Sequence, residues 1–211
     1  MISLEESRAW KPGLTGWSDD ILRFYSEVAL ELPDGATVVE VGVWCGRSLS
    51  YLDFALRRAG KTKCRLFGVD AWPDGYGARD GSPIDEAIQR VGGGSLYVWA
   101  MSEMLRFIPE HLAHFNLIRS DSCAASMMFP VRSVDMIFID GSHEYADVLD
   151  DLAAWEPALK RHGIFAGHDY DHAHPKHSEV VRAVDDFIGK ERVTMPVGPI
   201  PDASVWRRVS R

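Results

Sequence analysis

TVVEVGVWCGRS, residues 37–48, is the stretch on which the reading of the fold turns. Thr37 to Val41 is rich in β-branched residues and almost continuously apolar, the composition of a strand buried on both faces of a parallel sheet. Gly42 and Gly46 then let the backbone turn tightly and approach a ligand closely. Arg47 to about Arg58 continues as a helix closed by Gly60. Strand, glycine turn and helix in that order make the first βα unit of an open α/β sheet.

The alternation extends in both directions. Upstream, Ile21, Tyr25, Val28 and Leu32 recur at helical spacing behind Ser18 as an N-cap, with Asp19 and Asp20 in the first turn, and Pro33-Asp34-Gly35 stops the helix. Downstream, strands are expected at Cys64–Val69, Phe115–Arg119, Val134–Asp140 and Gly163–His168. Helices are expected near Leu96–Phe107, Ser122–Met128, Asp147–Leu159 and Ser178–Ile188. Two closing strands, near Arg192–Val197 and Ser204–Val209, read as a terminal hairpin. The predicted fold is therefore α/β: a doubly wound, mostly parallel seven-stranded sheet, helices on both faces, and a C-terminal antiparallel hairpin. Residues 1–35 form an N-terminal helical segment packed on the core, and 36–211 form one ligand-binding domain. Between 71 and 94, Pro73, Gly75, Gly77, Gly81, Pro83 and Gly92-Gly93-Gly94 break the rhythm around a short helix, Ile84–Val91. An excursion of this kind reads as a substrate-side lid.

Composition narrows the function. The chain has 211 residues and a net charge of −8, with a pI near 5.4, which disfavours nucleic acid and anionic membranes as partners. Cys45, Cys64 and Cys123 lie far apart and form no C-x-x-C pair, which suits reduced thiols and a cytoplasmic setting. The N-terminal stretch lacks the apolar core of a secretory signal, and no apolar run approaches the roughly 20 residues of a membrane span. A homo-oligomer stays open: Trp10 and Trp17 could close over a site or form a dimer contact.

Ligands of open α/β sheets bind beyond the carboxyl ends of the strands. Four strands here end on chemically informative residues: Glu40-Val41-Gly42, Asp70, Asp140 and His168-Asp169. Gly42 and Gly46 are spaced G-x-x-x-G, unlike the G-x-G-x-x-G of dinucleotide binders. A carboxylate such as Glu40 beside that turn would repel a pyrophosphate and suits a ligand bearing cationic groups. Asp70 can accept both hydroxyls of a ribose. Together they point to a nucleoside-containing ligand.

VVEVGVWCGRSLSYL, LFGVDAW, LIRSDS and IFIDGSHEYADVLDDLAAWEPALKRHGIFAGHDY, in that order, resemble the class I S-adenosylmethionine (SAM)-dependent methyltransferases. The likeness runs over roughly residues 36 to 190 and is strongest from Ile137 to Tyr170, where the pattern is similar to the macrocin and mycinamicin sugar O-methyltransferases. The resemblance implies a Rossmann-like methyltransferase domain with SAM as cofactor and a small hydroxyl-bearing acceptor. It places Glu40 and Gly42 beside the methionine portion, Asp70 at the ribose, and Asp121 with Ser122 near the adenine, with Gly46 of the same turn in the cofactor-binding set. Asp121 also reads as an N-cap. The resemblance further implies a divalent metal at Asp140, His168 and Asp169. His168 stands where an acid is expected, which shifts the preference from magnesium toward manganese, iron or zinc, or ends metal dependence.

His143, three residues after Asp140, is the candidate general base, because an imidazole titrating near neutrality suits removal of a hydroxyl proton. Capping of the next helix is its alternative use. His168, His172, His174 and His177 gather four of the eight histidines into a polar active-site rim. Trp44, Trp72 and Trp99 lie near ligand-side loops and could line a pocket; for Trp99 and Trp155 core packing is an equal reading. Three other functions compete: an NAD(P)-dependent oxidoreductase, a metal-dependent oxygenase using His143, Asp140 and His168, and a non-catalytic SAM-binding protein.

Overall fold

In the computed structural model, which describes residues 9–11, 13–16, 19–73, 83–195 and 204–209, seven strands make one sheet. The strands are β1 (Thr37–Val41), β2 (Arg65–Asp70), β3 (Phe115–Arg119), β4 (Val134–Ile139), β5 (Leu159–Gly167), β6 (Val193–Thr194) and β7 (Trp206–Arg208). Their order is β3-β2-β1-β4-β5-β7-β6. The first five are parallel, and β7 runs antiparallel to both β5 and β6. Helices of eight residues or more are α1 (Asp19–Glu31), α2 (Arg47–Arg58), α3 (Pro83–Gly92), α4 (Leu96–Phe107), α7 (Tyr145–Trp155) and α8 (Ser178–Ile188); α5 (Pro109–Leu112) and α6 (Ser122–Ser126) are shorter. The predicted fold class holds. None of the helices is long and apolar enough to cross a membrane, among the described residues.

Alternation along the central strands explains why both faces are covered. Val38 on β1, Met136 and Phe138 on β4 and Ile164 on β5 turn to one side, where they join Ile21, Tyr25 and Val28 of α1 and Leu49, Leu52 and Leu56 of α2. Val39, Val41, Ile137, Ile139 and Phe165 turn to the other, against Val148, Leu152 and Trp155 of α7 and Val180, Val184 and Ile188 of α8. Successive residues of a strand point to opposite faces, so a strand apolar at every position feeds two cores.

Boundaries moved where backbone chemistry overrides periodicity. The helix expected at Asp147–Leu159 runs Tyr145–Trp155 and gives way to a 3₁₀ turn, Glu156–Ala158. Pro157 has no N–H to continue the helix and restricts Glu156 before it. Leu159 consequently opens β5 four residues earlier than expected. The helix expected at Ser122–Met128 ends at Ser126. Of the expected lid, α3 occupies Pro83–Gly92, and residues 74–82 lie outside the described residues, as do Trp17, Ser18 and the 196–203 connection of the hairpin.

The chain passes from β1 outward to β2 and β3, then returns to β4 on the opposite side of β1. That reversal opens a crevice at the carboxyl ends of β1 and β4. Gly42 and Asp140 meet there. Gly42 has φ 89, and a Cβ at this position would lie 1.9 Å from the Asp140 carbonyl oxygen. Only glycine lets the two strand ends come so close.

Candidate active site

Two cavities abut at this crevice, sharing Gly42, Trp44, Asp140 and Gly141. The larger, about 710 Å³, runs past Asp70 to Asp121, Ser122 and Asp151. The smaller, about 580 Å³, is bordered by Asp20, Arg47, His143, His168, Asp169 and His177.

In the larger cavity, Asp70 terminates β2 and fastens the glycine turn. Its Oδ2 accepts the Trp44 backbone N–H at 2.9 Å and its Oδ1 accepts that of Trp72 at 2.7 Å. Burial nevertheless pushes its carboxyl above the usual range, against those backbone donors. Gly46, with φ 74, begins α2. Asp121 caps α6, accepting the Ala124 N–H at 3.0 Å, so its expected structural use is realised. Ser122 accepts the Trp155 indole N–H at 2.8 Å.

Glu40 differs from its expected placement beside a ligand. It is wholly buried and borders neither cavity; the Tyr25 and Ser48 hydroxyls each donate to one of its oxygens at 2.6 Å. Burial pushes its carboxyl up to about 8 despite these two donors. It ties α1, β1 and the start of α2 together beneath the glycine turn. Trp72 and Trp99 also belong to the core; Trp44 borders both cavities, edge-on to Trp99 at 5.6 Å between rings.

The smaller cavity gathers the second group of expected residues. His143 Nε2 lies 2.7 Å from Asp169 Oδ2. That hydrogen bond raises the imidazole above its ordinary value, and burial opposes it only in part. Asp169 has a left-handed backbone, φ 60, at the turn after β5. Such strain in a non-glycine residue is typical of functional turns. His177 Nε2 lies 3.2 Å from Asp169 Oδ1, which brings a second residue of the histidine-rich rim into the site beside His168.

His168 is set between carboxylates. Its Nδ1 is 3.3 Å from Asp140 Oδ1 and 3.4 Å from Asp169 Oδ1, and its Nε2 is 3.1 Å from both oxygens of Asp20. Burial disfavours its charge, but Asp140 and Asp20 outweigh burial and raise it well above the ordinary imidazole value. Asp20 in turn accepts from the Ser204 N–H at 2.9 Å and its hydroxyl at 3.0 Å, and is held near a pKa of about 2 because these partners and His168 outweigh burial. Sequence reasoning missed Asp20 and Ser204, which lie 148 and 36 residues from His168. An acid in a helix's first turn was the one signal, and it pointed only to the helix dipole.

The donor atoms of Asp140, His168 and Asp169 lie within 4.8 Å of one another. An imidazole whose far nitrogen donates to a carboxylate is the usual way a histidine is aimed at a metal. These residues therefore fit a divalent ion, and one nitrogen with two carboxylate oxygens suits manganese, iron or zinc better than magnesium.

A doubly wound sheet with a glycine turn at its switch point, an acid closing the next strand and two abutting cavities is the arrangement in which open α/β sheets bind ligands. A family profile described as a methyltransferase domain matches residues 39–170. The chain belongs to that methyltransferase family, and membership displaces the oxidoreductase and oxygenase readings. No curated protein sequence matches. Solved structures share the fold at low identity. CalS11, a calicheamicin methyltransferase, is 20% identical with a TM-score of 0.55, covering 89% of this chain and 76% of its own. Its apo form is described as a TDP-rhamnose 3'-O-methyltransferase. The S-adenosylhomocysteine-bound methyltransferase PaMTH1 of Podospora anserina is 13% identical with a TM-score of 0.59, covering 99% and 87%.

Proposed function

We propose that this chain transfers the methyl group of SAM to a hydroxyl of a sugar or another small polar acceptor, in the manner of the macrocin and mycinamicin O-methyltransferases. The observation that carries the reading is the junction of the two cavities at Gly42 and Asp140, one lined by the acid-tipped strands and the other by the His143–Asp169 pair. SAM occupies the larger cavity, with Asp70 at the ribose hydroxyls and the glycine turn against the methionine portion. The acceptor occupies the smaller cavity, so that its oxygen faces the sulfonium methyl through the shared wall. The segment 71–94 contributes to acceptor choice.

Holding donor and acceptor in line supplies much of the rate. His143 Nε2–H donates to Asp169, which leaves Nδ1 as the basic nitrogen. His143 is half exposed in the cavity and takes the hydroxyl proton there as oxygen bonds to methyl. A divalent ion held by Asp140, His168 and Asp169 would supply Lewis acidity to the acceptor hydroxyl when bound. Calorimetry with SAM and S-adenosylhomocysteine tests the donor assignment. Both bind the wild type, and Asp70→Ala weakens them more than about tenfold while circular dichroism stays unchanged, because a partly buried carboxylate is lost from two ribose hydrogen bonds. Equal affinity of the two proteins overturns the assignment.

A further inference from the structure

Away from the crevice, a further set of metal-ligating side chains converges. Asp53 of α2, His111 of α5 and His114, one residue before β3, come together although 58 and 61 positions separate the acid from the two histidines. Asp53 and His111 are buried, and His114 is half-buried. Both imidazoles turn Nδ1 to the same atom, Asp53 Oδ2, at 2.7 and 2.9 Å. One ligand atom from each of the three residues lies within 4.8 Å of the others. None of the three borders either cavity of the crevice.

The surroundings suit an ion. Arg57 Nε donates to Asp53 Oδ1 at 2.9 Å and reaches Oδ2 at 3.1 Å, so the carboxylate is held from one side while Oδ2 faces the imidazoles. Ligating carboxylates are commonly anchored by such an outer hydrogen bond. His111 Nε2, the nitrogen turned away from Asp53, lies 3.6 Å from Glu110 Oε1, which Lys11 holds at 2.6 Å. Trp10 meets the His111 ring edge-on at 5.5 Å and Phe115 stacks on it at 6.4 Å, an apolar wall that limits the access of water on that side. His114, the most exposed of the three ligands, leaves the other side open.

We propose that Asp53, His111 and His114 bind a zinc ion, at a site separate from Asp140, His168 and Asp169. Two imidazole nitrogens, one carboxylate oxygen and a water on the open side make the four-coordinate set that zinc takes. On binding, each imidazole carries its proton on Nε2 instead of Nδ1, and two N–H···O contacts give way to two nitrogen–metal bonds. The His111 N–H is then directed at Glu110. Tetrahedral zinc with arms of about 2.0–2.1 Å sets its ligand atoms about 3.4 Å apart, so the imidazoles draw back from Oδ2 by less than about 1 Å. Ile108, the residue before α5, packs toward Gly46 at the start of α2. The ion thus ties a second point of this segment to the helix that carries the glycine turn. The site is independent of the SAM assignment.

The test uses the full chain freed of metal by chelation and dialysis, with zinc alone as the probe. Bound zinc is counted by elemental analysis after equilibrium dialysis of wild type, His114→Gln and His114→Cys, with circular dichroism to confirm folding. His114→Gln holds one zinc per chain fewer than the wild type, whatever the occupancy at Asp140, His168 and Asp169. Its affinity at this site drops by more than the roughly 10- to 100-fold that loss of an outer partner costs. His114→Cys, which offers a thiolate in the same place, keeps the ion. At a hundredfold excess of zinc over Kd, the zinc-dependent rise in Tm is about 5–10 °C larger in the wild type than in His114→Gln. A wild type that binds no more zinc than His114→Gln overturns the proposal and leaves the group a hydrogen-bonded clasp between α2 and α5.

Discussion

Replacing Glu40 by Gln isolates a fully buried ionisable group that has no charged partner beside it among the described residues. The carboxyl is fully buried, its oxygens receive the Tyr25 and Ser48 hydroxyls at 2.6 Å, and its pKa stands at about 8 against an ordinary 4.5. An acid with a raised folded-state pKa gives its full contribution below the unfolded value and loses it as pH rises toward the folded value, since the folded chain must keep a proton that the unfolded chain releases. At pH 7 the interval above the ordinary value is about 2.5 pH units, and at about 1.4 kcal/mol per unit the cost to the wild type is about 3 kcal/mol. Glutamine is isosteric and never ionises. The stability gap between Glu40→Gln and the wild type should therefore open between pH 4.5 and 8 and stay constant above. For a chain of this size, a gap of about 3 kcal/mol at pH 7 is a Tm difference on the order of 6–12 °C. Thermal melts followed by circular dichroism from pH 4.5 to 9 measure it. Parallel Tm curves for the two proteins would refute the reasoning, because a carboxylate that stayed ionised throughout could not produce a pH-dependent gap.

Three further outcomes follow from the geometry. His143→Ala should lower kcat about 10²-fold or more while leaving the Kd for S-adenosylhomocysteine unchanged, as measured by single-turnover methyl transfer and calorimetry; equal turnover removes His143 from the reaction. Gly42→Ala forces a side chain into φ 89 and against the Asp140 carbonyl at 1.9 Å, a backbone group that cannot rotate away. A left-handed backbone at about 1–2 kcal/mol and overpacking at about 1–3 kcal/mol predict a loss of about 2–5 kcal/mol in urea unfolding; a loss under 1 kcal/mol would count against the close approach. At the metal site proposed on Asp140, His168 and Asp169, Asp20→Asn removes the carboxylate that aims His168, so manganese or zinc affinity, measured by equilibrium dialysis and elemental analysis, should fall about 10- to 100-fold. Equal metal binding by the two proteins would detach Asp20 from the site.

The sheet was legible in the sequence because its determinants are local. Thr37–Val41 and Val134–Ile139 announce strands buried on both faces through nearly continuous apolar character, and the glycines at 42 and 46 announce the turn between β1 and α2. Periodicity likewise located α4 and α8 at their observed ends. Helix α7 was misplaced where Pro157, whose effect is backbone chemistry and not amphipathicity, ended the run. Strand-end placement brought Gly42, Asp70, Asp140, His143, His168 and Asp169 to the crevice, since carboxyl ends of parallel strands share one edge of the sheet.

Order along the chain cannot report burial or contacts between distant segments, and these decided the remaining roles. A carboxylate after a strand reads the same whether it faces a cavity or lies beneath a turn; packing of Tyr25 and Ser48 made Glu40 an internal tie. Asp121, Asp147, Asp150 and Asp151 border one cavity and look alike as letters, and only the fold buried Asp151 and exposed the other three. Asp20 reaches His168 across 148 positions because α1 folds back onto β5, and Ser204 joins them from the opposite end of the chain. Sequence thus determined the sheet and its ligand-binding edge, through patterns a few residues long. Tertiary structure assigned each charge its partner, because electrostatic interactions depend on distance and burial in space.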